Sequence, residues 1–187
     1  VIEATASREG MLRKDLLHSG GETQINNYLL RLTYAPEKSL NVSAYELARN
    51  DRSPEGHSPI FYGLHSSGEL TDKLDYWAEV AYVRGQDGVQ KIRGLGFDIG
   101  TTYQLPLPKK LSATLGYAFG RGDRDPTDNV DESFRQTGLQ DNKSKFNGVT
   151  RFKYYGELFD PELNNLVIVT AGVGLGPSRR SSIDLVF

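Results

Sequence analysis

Cysteine is absent from all 187 residues, so neither a disulfide framework nor a thiolate metal site is available. Long apolar runs are missing as well. No window approaches the ~20 consecutive apolar residues that a transmembrane helix requires, and a mean hydropathy of -0.48 excludes a helical membrane protein. A formal net charge of -2 lacks the basic excess of a nucleic-acid footprint, which sets nucleic acid aside as a partner. Transmembrane β-strands escape the hydropathy test, because only alternate residues face lipid. Twenty glycines, ten tyrosines and eight phenylalanines fit a β-rich, turn-rich chain with aromatic belts. They equally fit a soluble β-sandwich or a sugar-binding module.

Period-two alternation recurs along almost the whole length, and the helical i, i+3, i+4 pattern is rare. Leu74, Tyr76, Ala78, Val80 and Tyr82 share one parity, opposite Asp75, Trp77, Glu79 and Ala81. Leu111, Ala113, Leu115, Tyr117 and Phe119 repeat the pattern opposite Ser112, Thr114, Gly116, Ala118 and Gly120. Tyr28 to Tyr34, Leu95 to Ile99 and Val167 to Val173 do the same. The connections sort into two kinds. APEKS (35–39), TDK (71–73) and LPLPKK (105–110) are short, whereas DRSPEGHS (51–58), GQDGVQ (85–90) and 122–133 are longer and more polar. The two kinds alternate down the chain, as in an outer-membrane barrel with tight periplasmic turns and longer extracellular loops. Several tyrosines lie near strand ends with the apolar parity, where a ring at the headgroup level keeps its hydroxyl wet. Parity alone does not say which face points inward.

The densest set of features runs from Phe134 to Leu166. It holds Phe134-Arg135-Gln136-Thr137-Gly138-Leu139, Asn142, Arg151, Tyr155-Gly156-Glu157 and Pro161-Glu162-Leu163-Asn164-Asn165-Leu166. This combination closely resembles the C-terminal part of the alginate export family of bacterial outer-membrane β-barrels. The resemblance implies an outer-membrane channel of a Gram-negative bacterium that passes an anionic exopolysaccharide such as alginate. It also implies outer-membrane lipids and periplasmic secretion-complex proteins as partners. Family barrels are larger, so the chain is expected to be one domain, residues 1–187, that forms part of a longer barrel truncated at both ends. The expected fold is all-β, an antiparallel up-and-down transmembrane β-barrel of about nine or ten strands here, at ~9–11 residues each. The alternative is a soluble or surface β-sheet module that binds carbohydrate with Trp77 and tyrosines. The two readings separate on whether the apolar parity faces out as a band ~25 Å tall or packs inward as a core.

No residue constellation calls for catalysis or a cofactor. His18, His57 and His65 lack ligand spacing, and Ser66-Ser67-Gly68 has none of the surroundings of a nucleophile elbow. His65 shares the polar parity of Glu69 and reads as a wall residue. Asp123, Asp125 and Asp128 offer alternate hard oxygens, a weak calcium candidate without the central Gly and terminal Glu of an EF-hand. The bland reading is a solvated acidic loop. The strongest candidate is a charged lumen. Arg31, Arg135, Lys143, Lys145, Arg151 and Lys153 form its basic set, and Asp75, Glu79 and Asp98 lead its acidic one. Fixed charge in a water-filled pore sets selectivity and concentrates an anionic polymer. Salt bridges that merely fill a narrow barrel are the rival explanation.

Overall fold

The computed structural model describes residues 2–8, 25–54, 56–107, 110–135, 143–144, 152–153, 163–178 and 180–187, and these are all-β and turn. In chain order the strands are β1 (Ile2–Arg8), β2 (Ile25–Glu37), β3 (Leu40–Asp51), β4 (His57–Thr71), β5 (Leu74–Asp87), β6 (Gln90–Gln104), β7 (Ser112–Gly120), β8 (Val130–Asp131), β9 (Lys143–Ser144), β10 (Phe152–Lys153), β11 (Leu166–Ser178) and β12 (Ser181–Val186). Nine of them form one antiparallel up-and-down sheet in the order β1-β2-β3-β4-β5-β6-β7-β11-β12. Among the described residues β1 and β12 each pair on one side only, so the sheet is an open, partial barrel. Strand β8 joins the start of β6 in parallel, and β9 and β10 pair with each other in a separate ladder.

The alternation expected from sequence is what sorts the two faces. The register aligns Leu32, Ala44, Leu64, Val80, Phe97, Phe119 and Val167 into one rung across β2 to β7 and β11, without a polar residue in it. The next rung toward the short turns is Tyr34, Val42, Ser66, Ala78, Ile99, Tyr117 and Val169. Leu32, Leu64, Val80, Ile99 and Val169 are exposed, so the apolar parity lies outside. From Leu74 to Tyr82 of β5 the apolar stretch runs roughly 26 Å along the strand at ~3.3 Å per residue. Above it, toward the longer connections, the outer face becomes charged at Arg84, Lys91 and Arg93, all exposed. Strands β2 to β6 run 12–15 residues, longer than expected, and the added rungs are these charged ones.

The two kinds of connection sort to opposite ends. The turns at 38–39 and 72–73 and the strand ends that flank the β6–β7 and β11–β12 connections share one end, and the strand ends that flank the β3–β4 and β7–β11 connections lie at the other. One connection is tighter than its sequence suggests. GQDGVQ is largely absorbed into strands, leaving Gly88 and Val89, with Gly88 at φ +59 taking the left-handed conformation that glycine tolerates.

A small apolar core sits on the inner face at the long-connection end. Leu47, Phe61, Ala81, Val83, Ile92 and Ala118 from the strands meet Phe134 and Leu163 from the segment between β7 and β11. The segment reaches this close because the wall beneath it has no side chains. A Cβ on Gly94 would overlap the Ser133 carbonyl oxygen, and one on Gly120 would overlap that of Leu163. The Phe134 ring lies over Gly96. Full burial of Phe134 and Leu163 contributes about 2 kcal/mol each toward holding the segment inside the barrel.

Candidate functional site

Toward the short-turn end the inner face changes from apolar core to a polar wall. On β2 and β3, Arg31 donates from Nη2 to Ser43 Oγ at 3.2 Å, and Thr33 shares the same hydroxyl at 3.0 Å. One residue pair deeper, Tyr45 of β3 reaches across β4 to β5. Its hydroxyl donates to Glu79 Oε1 at 2.6 Å, and His65 Nδ1 stands 3.3 Å from the other carboxylate oxygen. This reach depends on Gly63, since a Cβ there would overlap the Tyr45 ring. The carboxylate of Glu79 is therefore held at both oxygens, in a side chain still 28% exposed.

A second aromatic repeats the arrangement on the next strands. Trp77 of β5 donates from Nε1 to Asp98 Oδ1 at 2.8 Å, and its ring lies over Gly100 of β6 and reaches Gly116 of β7. Thr102 and Thr114 bridge β6 and β7 through their hydroxyls at 2.9 Å, and Ser112 and Asp184 flank Gly174 farther round. The wall is thus a row of hydroxyls, carboxylates and flat aromatic rings. Such a surface offers hydrogen bonds to a hydroxylated polymer, with ring faces laid along the wall rather than projecting into its path.

The structure brings Arg31, Glu79 and Asp98 of the expected lumen set onto this inner wall. Asp75 lies at its short-turn end, opposite Glu69, where its backbone carbonyl accepts from Thr101 at 2.8 Å. Arg135 lies at the other end of the barrel, paired with Asp131 at 2.7 Å and Asp87 at 3.7 Å. Lys143 and Lys153 are register partners in the β9–β10 ladder, apart from the large sheet. Lys145 and Arg151, with most of the motif from Phe134 to Leu166, lie outside the described residues. Sequence reasoning missed Tyr45 and the buried pair Arg49–Asp51, 3.4 Å apart. The signal for Tyr45 was its parity: it lies opposite Val42 and Ala44, on the same face as Arg31.

In the acidic loop, carboxylates accept from their own backbone. Asp123 takes the N–H of Asp125 at 3.3 Å, Asp125 that of Thr127 at 3.1 Å, and Asp128 that of Val130 at 2.7 Å. The Thr127 hydroxyl and N–H hold the Asp125 carboxyl below its ordinary value. Among the described residues no three His, Cys, Asp or Glu side chains converge as metal ligands.

Comparison with known proteins agrees with this architecture. The model of the family described as "Alginate export" matches residues 13–187. The "Alginate production protein AlgE" of Pseudomonas aeruginosa is 30% identical in a match that covers 58% of this chain and 26% of that protein. The protein of the same name from Azotobacter vinelandii is 36% identical over 39% of this chain and 15% of its own length. The chain thus spans about a quarter or less of the curated relatives it matches. With the family model matched over nearly its whole length, the chain belongs to the alginate export family.

Proposed function

We propose that the chain forms part of the wall of an outer-membrane channel of a Gram-negative bacterium, through which an anionic exopolysaccharide such as alginate leaves the cell. Passage is passive, along a charged lumen, with no catalytic step and no cofactor. The observation that carries this reading is the inversion of the faces: an unbroken apolar rung and its largely apolar neighbours outside, with Arg31, Tyr45, Glu79, Trp77 and Asp98 inside. A water-soluble carbohydrate module would pack that apolar face against another layer instead. Outer-membrane lipids cover the apolar band, and periplasmic secretion proteins deliver the polymer. The relatives' names, which refer to alginate production, support the substrate class.

Within the lumen, Arg31 attracts the polymer's carboxylates. Glu79 and Asp98 keep that attraction from becoming a trap, because a conducting site must also release. Arg135, Lys143, Lys145, Arg151 and Lys153 extend the basic set, and Asp75 the acidic one. The test is planar-bilayer conductance of the full-length protein with block by oligouronates. Arg31→Glu, or joint reversal of Arg151 and Lys153, is expected to weaken the block on the order of tenfold. Unchanged block would remove the reversed residues from the pathway.

A further inference from the structure

The outer face carries a feature that polymer transport does not use. Arg84 of β5 and Arg93 of β6 are direct register partners, both exposed, one rung beyond the Tyr82–Leu95 rung that closes the apolar band. Like charges directly opposite each other in an antiparallel ladder repel, at Cβ separations of ~5 Å. The two side chains take different partners. Arg84 leans over the Tyr62 ring, 5.1 Å from its centroid, and donates to its hydroxyl at 2.8 Å. Arg93 pairs with Glu132 at 3.2 Å. Two more cations flank them: Lys91, exposed two residues along β6, and Arg121, which bonds the same Glu132 at 2.6 Å. Four cations therefore share this rim, and Glu132 answers two of them. Asp87 and Asp131 lie nearby on the other parity and pair with His57 and Arg135, so the next acid on the outer parity is Glu46, the register partner of Tyr62 on its far side.

We infer that Arg84 and Arg93, flanked by Lys91, form a binding site for the phosphate of an anionic lipid headgroup, on the long-connection side of the membrane. The inference rests on the reading of the apolar rungs as membrane-facing. Its geometry follows from three facts. The pair stands immediately above lipid-facing side chains, at the depth of a headgroup rather than in bulk water. Guanidinium groups present planar, forked donors that match phosphate oxygens two at a time. Tyr62 and Tyr82, one rung below, supply the amphipathic surface on which the sugar or glycerol portion of a headgroup rests. A phosphate seated between the two arginines converts a repulsive pair into a bridged one.

The test uses the full-length protein in phosphatidylcholine vesicles with and without a minor fraction of lipid A, a phosphorylated disaccharide lipid. Bound lipid is read by native mass spectrometry of protein released into mild detergent, and thermal stability is read in parallel. The expected result is retention of lipid A by the wild type with a raised Tm, and roughly tenfold weaker retention by Arg84→Gln/Arg93→Gln. Arg84→Lys/Arg93→Lys keeps the charges and controls for folding, and is expected to retain most of the binding. Dephosphorylated lipid A and inorganic phosphate serve as the other probes. Equal retention by the glutamine variant, or of the dephosphorylated lipid, would overturn the inference, as would saturation by inorganic phosphate alone. Failure of the protein to resist alkaline extraction from vesicles would instead refute the membrane reading beneath it.

Discussion

Glycine on the inner face works as a floor rather than as a hinge. Gly63 leaves room for the Tyr45 ring and Gly100 for that of Trp77, so each aromatic lies across a neighbouring strand and ends on a carboxylate. Gly63→Val is therefore expected to push the Tyr45 ring off the wall and break its bond to Glu79. The cost should be about 1–3 kcal/mol, as for overpacking elsewhere, read as a lower urea midpoint of the folded barrel. Tyr45→Phe tests the bond by itself: it leaves Glu79 with one partner fewer and is expected to cost about 1–2 kcal/mol. If Tyr45→Phe proves as stable as wild type, water replaces the hydroxyl and the bond is incidental. The sequence showed Glu79 and Asp98 on the polar parity but not their partners, because parity assigns a face and says nothing about how far an aromatic ring reaches along it.

At the scale of elements, the outer rungs and the segment between β7 and β11 carry opposite demands. A cation in the middle rung would sit at the centre of the apolar band. Val80→Lys is expected to destabilise the membrane-inserted protein by about 2–4 kcal/mol, and Ser67→Lys, half-buried on the inner wall, far less. Equal penalties, measured by urea unfolding in vesicles, would mean that the band does not face lipid. The segment is held by backbone approaches at Gly94 and Gly120 that no side chain can share. Gly94→Ala is thus expected to lift Ser133 and Phe134 off the wall and to change the width of the path at the long-connection end. The readout is single-channel conductance, expected to shift; an unchanged value would show that the segment does not set that width. This inward fold was illegible in the sequence. The glycines of GLGFDIG read as close packing or a roomy lumen, and only the structure shows that Phe134, nearly forty residues later, is what packs there.

For the whole molecule, the edges decide behaviour. Among the described residues β1 and β12 each present one unpaired side, and unpaired backbone groups in lipid cost several kcal/mol each. A chain of these 187 residues alone is expected to associate edge to edge. A monomeric, heat-modifiable band on a gel would contradict that. The strand sequence, the all-β class and the sorting of connections were legible because each rests on local signals: period-two alternation, turn residues and connection length. The motif from Phe134 to Leu166 identified the family, yet its basic residues proved the least informative about the wall. Arg135 pairs at the rim with Asp131 and Asp87, and Lys143 and Lys153 fall in a ladder of their own.

What the sequence determined by itself was two-sidedness. Alternate residues must face opposite ways along a strand, so an apolar set and a polar set were separated before any strand found its neighbour. Which set faces inward, which strands align into the rung from Leu32 to Val167, and which aromatics bridge to Glu79 and Asp98 were decided only by the tertiary structure. Register and burial are relations between residues tens of positions apart, and no local pattern encodes them.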